Sequence, residues 1–493
     1  MATKYCRADG SAAWADATGP ESSAGDCCTL ATAGTNADAG DIVYISGLGG
    51  VFRETLTPSN SGSNGSPITF SGISSAKICG ADILTGWSDQ TGNIWRATWA
   101  GDAASGNGIW MDGTVGVSKG SSGACTQEFD FYYNAGSNYI DIYAASDPDT
   151  RYTDPGVEVS ARWQTCNVDS KDYVTVENIE FCQSIGDCVR FRNGGTDIIF
   201  SGCTVWGAGE SVATASYQDG MLIEDYSNVL VSECEFYRNA WNGCAYHNNG
   251  AGALSNYIVE KCHSHDNGHN GIDSKCLGSG NNSGVIYRYN RVNGSYQNGL
   301  MMLTNDTETG IFVSAKVHNN VVFENGYCGM YLASETGTVY FTGFEIVNNT
   351  VADNGKSGTY GPGIWYGGSG ATIQNNIVCR SYNEEITVTD GGGTQNDVDY
   401  NLVWKTGADS GTDLYAEDGT DYNHTEYKSF GQQTNAPDIA DPGFTDEDND
   451  DYTLASDSPC IGAGANLGSP YNTALMPSST WPDGVVTGNQ DDY

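Results

Sequence analysis

Positive charge is what this chain has least of. Only 21 of its 493 residues are Lys or Arg, against 61 Asp or Glu, for a formal net charge of −40. That excludes nucleic acid as a partner, because binding phosphates needs a basic footprint. It argues equally against anionic membrane surfaces. Apolar runs are short, and none approaches the roughly 20 residues that cross a bilayer, so no membrane insertion is expected. The start, Met1-Ala2-Thr3-Lys4-Tyr5, lacks the apolar stretch of a secretory leader, so the expectation is either a mature chain or a route outside the cell other than signal-peptide export, such as cell lysis. Helix-period apolar patterns of useful length are missing as well. Cysteine is not scarce, at 16 residues, but Cys27 and Cys28 are adjacent and others fall at interior positions of a repeat. That spacing is not the disulfide framework of a small secreted scaffold.

What the chain does have is a repeated phrase. A polar or small residue precedes Asn or Cys, and an apolar, often β-branched residue soon follows. It occurs at Cys203, Cys234, Cys262, Asn290, Asn320, Asn349, Asn376 and Asn401, at intervals of 31, 28, 28, 30, 29, 27 and 25 residues. A second mark keeps the same time: Asp219-Gly220, Asn242-Gly243, Asn270-Gly271, Asn298-Gly299, Cys328-Gly329 and Pro362-Gly363. Self-similarity at this period signals a solenoid. Each unit holds two or three short β-prone runs separated by Gly, Asn, Asp and Ser, which suits a three-sided ring of strands. Rings stacked at about 4.8 Å by parallel pairing would bury the face that no single ring can bury alone. The prediction is an all-β, single-stranded, right-handed parallel β-helix solenoid of about ten coils, right-handed because parallel crossovers are. Asn290, Asn320, Asn349, Asn376 and Asn401 should stack in one internal column, with Cys203, Cys234 and Cys262 filling the same bend.

Composition along the chain divides it into four parts. Residues 1–80 form an N-terminal cap and first coil, and 81–165 an aromatic-rich β insertion. Residues 166–405 form the regular helix, and 406–493 a closing coil with an acidic cap that ends near Trp481-Pro482-Asp483-Gly484. The aromatics of the insertion (Trp87, Trp95, Trp99, Trp110, Phe129 and Phe131 among them) suit core packing or sugar stacking.

Aligning the strands that follow the x-Gly marks gives an outward stripe by simple alternation. Met221, Cys244, Ile272, Leu300, Met330 and Ile364 face inward. Arg190, Arg192, Glu224, His247, Asp273 and Lys275 then share an outer face, with Tyr331 and Trp365 further along it. An acidic chain that gathers scarce cations on one face is set to meet an anion there. The exposed aromatics suit stacking on sugar rings. The segment from His263 to His269 reads as a loop holding three of the six histidines. It makes His265 a further substrate-binding candidate.

With its repeat, Gly40-Asp41-Ile42-Val43-Tyr44-Ile45 at one end and Asp441-Pro442-Gly443-Phe444 at the other, the chain resembles the pectate-lyase-like superfamily of right-handed parallel β-helices. That superfamily includes polysaccharide lyases, alginate epimerases, pectin hydrolases and phage tailspikes. Asn270-Gly271-Ile272-Asp273-Ser274-Lys275 is similar to the strand carrying catalytic residues in alginate epimerases and related lyases. The resemblance implies that Lys275 or His247 is the base that takes the C5 proton of a uronate. It further implies that Arg192 binds the substrate carboxylate and that Asp273 with Glu224 holds Ca2+, while Arg190, on the same stripe, is a substrate-binding candidate by its position. Lys275 stands where the epimerases have His, and their following acidic residue is absent, which speaks against epimerisation itself. A second acidic run, Asp446 to Asp451, has Asp at alternate positions like a calcium loop, without that loop's Gly and Glu.

These readings leave three functions open. The first is a virion-associated protein of tailspike, fibre or decoration type that binds, and by β-elimination cleaves, an acidic host glycan. The second is a secreted polysaccharide lyase or hydrolase, and the third a purely structural surface protein. The implied location is a virion or the extracellular space. Partners would be a polysaccharide or cell-surface glycan and other virion proteins, with a trimer if the molecule is tailspike-like.

Overall fold

The structure is a computed structural model that describes residues 2–99, 101, 108–209, 218–305, 309–335, 341–358, 360–390, 392–408 and 411–471. The tail expected around Trp481 lies outside the described residues. The chain is an all-β parallel solenoid of about 12 turns with few helices. No helix among the described residues is long and apolar enough to cross a membrane. Two compact units are distinguished: Met1–Arg192 with Cys203–Leu222 and Tyr237–Asn242, and Asn193–Gly202 with Ile223–Phe236 and Gly243–Tyr493.

In the first unit, Thr3–Arg7, Ile42–Ser46, Ile68–Ile73 and Val174–Glu177 pair in parallel. A second parallel run joins Lys77–Cys79, Glu180–Cys182 and Thr204–Trp206. Residues 81–160 build two further sheets, mostly antiparallel. One centres on Ile94–Thr98 and Tyr139–Tyr143, the other on Val157–Ser160. Their aromatics are core residues: Trp87 and Phe131 are buried, and Trp95, Trp99 and Phe129 pack against them.

The second unit carries the regular helix on three parallel sheets. One runs from Gly195–Ser201 through Tyr226–Ser232 and Tyr257–Glu260 to Asp397–Asp399. Another starts at His263–His265 and ends at Leu402–Trp404. The third starts at Cys244–Asn248 and Ile272–Cys276 and ends at Asp413–Glu417. Residues of like phase face each other in register, as in Ile272↔Leu300 and Leu300↔Met330.

The bends explain the repeated phrase. Glu233, Lys261, Tyr289, Asn319, Asn348, Asn375 and Tyr400 all take the left-handed conformation, with φ between 54° and 57°. That conformation is costly for residues other than Gly, and Asn bears it best. Each turns the chain so that the next residue points inside. Asn290, Asn320, Asn349, Asn376 and Asn401 there form a buried ladder, each of the first four side-chain amides donating to the next Asn Oδ1 at 2.9–3.0 Å. Buried amides are thereby satisfied, as they must be. A second ladder, Asn325 to Asn354, lines another bend. Glycine of the x-Gly mark is steric: a Cβ on Gly271 would lie 2.2 Å from Val292 Cγ1. The same clash meets Gly299, Gly329 and Gly363. All 16 cysteines are buried free thiols. In the acidic run near the end, Asp450 pairs with Arg291 and Glu447 with Arg380.

Candidate functional site

Alternation along Ile272–Cys276 puts Ile272 and Ser274 inside and Asp273 and Lys275 on the outer side. Asp273 Oδ2 lies 3.1 Å from Lys275 Nζ, with the carboxylate fully buried and the lysine side chain 13% exposed. His247 stands in register with Lys275, and Ala245 with Asp273. The outward column is not open surface throughout, because Ala245, Asp273 and Met301 are all buried. Turn side chains roof it over: Asn298 Nδ2 lies 3.7 Å from Met301 Sδ and 2.9 Å from Asn270 Oδ1. His269, in that turn, is held neutral down to about pH 4 by burial and by the nearby charge of Lys275. Its Nδ1 faces Asn270 Nδ2 at 2.8 Å, which assigns the ring proton to Nε2.

Further along the same sheet, Met301, Tyr331, Trp365 and Thr387 continue the column of Asp273. The Tyr331 and Trp365 rings meet edge to face at 4.9 Å, and Tyr360 abuts Trp365 at 5.6 Å. Both column aromatics remain partly exposed. Glu224 is half-buried and accepts from Asn249 Nδ2 at 3.3 Å. Arg190 and Arg192 belong to the first unit. There Arg192 pairs with Asp169 at 3.1 Å and Arg190 lies 3.8 Å from Asp187.

The histidine-rich segment is not one loop. His263–His265 is a strand of a different sheet from Lys275, so His265 does not join the Lys275 face. Its neighbours there are His263 and Glu235, which sequence reasoning did not bring together. The alternate spacing His263-Ser264-His265 was the available signal, since i and i+2 share a face on a strand. His263 Nε2 lies 3.0 Å from Asn293 Oδ1, and His265 bridges Asp266 at 2.8 Å and Glu235 at 3.4 Å. Burial holds His263 down, to about 4. Burial also opposes charge on His265, but Asp266 and Glu235 outweigh it and raise that imidazole to about 9.

Residues 165–343 match the family model for a right-handed beta helix region. Comparison with curated proteins gives no match. Among solved structures, pectate lyase Pel9A is similar at 13% identity over 99% of this chain and 97% of its own, with a TM-score of 0.53. XylC in complex with xylose is similar at 12% identity over 85% of this chain and 86% of its own, with a TM-score of 0.51. A glycoside hydrolase matches at 10% identity over 85% and 95%, also at 0.51. At such identities the likeness is one of fold: this chain is a right-handed parallel β-helix, the fold it shares with pectate lyase Pel9A.

Proposed function

We propose that the protein binds an acidic polysaccharide along the sheet bearing His247, Asp273, Lys275, Tyr331 and Trp365, and cleaves it by β-elimination. One observation carries this reading. A lysine held by a buried carboxylate shares a sheet with an aromatic platform two and three coils away, about 10 Å to Tyr331 and about 14 Å to Trp365 at 4.8 Å per coil. Lys275, or His247 in register with it, offers a base for the C5 proton of a uronate, and rings suit the faces of neighbouring sugars. The solved structures sharing the fold include a lyase of pectate and a protein crystallised with xylose, which supports a carbohydrate ligand.

In the proposed step Lys275 Nζ, once deprotonated, takes the C5 proton of the uronate. The C4–O bond breaks, a C4=C5 double bond forms and the leaving oxygen acquires a proton. His247, in register beside it, is the alternative acceptor. Asp273, ion-paired with Lys275, and Glu224, two strands away in the same sheet and so about 10 Å off, do not fit one Ca2+, and the elimination rests on the side chains named above. Placement on a virus particle belongs to the same proposal, and purified virions analysed by mass spectrometry would contain the chain.

The test incubates the protein with polygalacturonate, alginate and glucuronan and follows the ultraviolet absorbance of unsaturated product. Lys275→Ala should abolish product while the far-ultraviolet circular dichroism stays native. A rate that climbs with pH into the alkaline range supports Lys275 as base, and a plateau above neutral pH supports His247. If the intact protein neither cleaves nor binds any member of the panel, the proposal fails.

A further inference from the structure

We propose that Glu235, His263 and His265 form a binding site for a divalent transition-metal ion such as Zn2+, on a sheet other than the one bearing Lys275. The inference does not depend on the polysaccharide reading.

Strand alternation builds the site. His263 and His265 both face out, while Ser264 between them turns inward and donates to Gly271 O at 2.8 Å. Their rings stack with centroids 4.2 Å apart. One ligand atom from each of the three residues lies within 4.8 Å of the others. His265 Nε2 and Glu235 Oε1 are 3.4 Å apart. Two ligands at about 2.0 Å from a tetrahedral ion sit about 3.3 Å from each other, so an ion fits between them with little movement.

His263 supplies the independent observation. It is 9% exposed, and its Nδ1 is buried without a hydrogen-bond partner. Asn293 Oδ1 at 3.0 Å from Nε2 makes that nitrogen the donor, so the lone pair resides on the unpartnered Nδ1. A buried nitrogen with a lone pair and no donor to meet it is an anomaly in a folded protein, and a metal ion removes it. The supporting shell is of the kind that orients metal-binding histidines: Asn293 fixes one ring, and Asp266 holds the other through Nδ1 at 2.8 Å. Arg291 stands in register with His263 but is directed to Asp450 at 3.0 Å. Two imidazoles and one carboxylate, with a position left for water, suit Zn2+, Co2+ or Ni2+ and do not suit Ca2+.

The test titrates Co2+ into tag-free, chelator-stripped full-length protein and reads visible absorption, with Zn2+ competition measured by calorimetry. One Co2+ per chain is expected, with d–d bands of nitrogen and oxygen ligation that Zn2+ bleaches. His265→Ala and Glu235→Gln should each abolish that signal. Both residues are partly exposed, so the test survives if His263→Ala does not fold. Asn293→Ala, which removes only the ring-orienting contact, should weaken binding by about 10-fold or more. His318→Ala should leave it unchanged. No uptake of Co2+, uptake unaltered in His265→Ala, or near-ultraviolet thiolate bands in place of d–d bands would each overturn the proposal.

Discussion

Cys234 and Cys262 occupy the same bend that Asn290, Asn320, Asn349, Asn376 and Asn401 occupy in later coils, and the two chemistries do different work there. The Asn amides reach the preceding coil's carbonyls at 2.8–2.9 Å, from Val259 to Ile373. The thiols point at the equivalent carbonyls from much further away: Cys234 Sγ is 3.7 Å from Phe200 O and Cys262 Sγ 3.9 Å from Val231 O. An amide also offers an oxygen to the coil before it, as Asn290 Oδ1 does to Cys262 N at 3.0 Å. A thiol has no such oxygen and mainly fills space. The bend therefore demands a small buried side chain, and the Asn coils tie ring to ring through short amide bonds where the Cys coils have only long thiol contacts.

The contrast can be broken most directly at Asn349. Its side chain donates to Val317 O and Asn376 Oδ1 and accepts from Asn320, so Asn349→Ala strands several buried groups at once. A loss of about 3–5 kcal/mol is expected, read from the urea unfolding midpoint. A cost under about 1 kcal/mol would show the ladder to be decorative. Acid should erode the Asn coils next. His318 precedes Asn319 and gives its carbonyl to Asn320, and burial holds its imidazole down to about 4 from the ordinary 6.5. A depressed histidine stabilises above its unfolded pKa, and that contribution is lost as pH falls from about 6.5 toward 4. Between pH 7 and 5 this one group should account for about 2 kcal/mol. His318→Gln should flatten the acid limb of stability against pH by that amount. Cys234→Ala removes a weak donor and a sulfur, and should cost only about 1 kcal/mol by the same unfolding assay. The smallest effect is expected for Cys262→Asn, which extends the ladder by one rung. Its melting temperature should match the parent or rise slightly, and a large fall would mean the Cys coils are too tight for an amide.

Repetition made this column legible in the sequence, since the same residue types recur at the same bend in coil after coil. Asn325 and Asn354 belong to a second column with Asn267, Ser295 and Ser381, which keeps the same period in the sequence but mixes Asn with Ser, so its chemistry is less uniform than its spacing. The register of His247 with Lys275 was readable because strand alternation forces it once the coils are aligned. The burial of Asp273 was not, since alternation says only that it faces outward and not what covers that face. His263–His265 looked like loop because three polar or small residues give no apolar alternation. Glu235 is 28 and 30 positions earlier in the chain and meets the histidines only through stacking.

The Asn ladder has a direction. Each backbone N–H donates forward to the next coil's Oδ1, from Cys262 through Asn376. At the far end Asn401 N finds Gln433 Oε1 instead. Every rung therefore presents the same socket and the same plug. Excising the 29 residues from Asn320 to Asn348 would offer Asn290 a partner of identical chemistry in Asn349. Removing ten residues would not. Intervals between rungs vary from 25 to 31 residues, so length within a coil is free to drift in its loops. The number of coils is a different kind of variable, changed by whole insertions or deletions that leave the seam unmarked, so both lineage and laboratory can lengthen or shorten this molecule in integers.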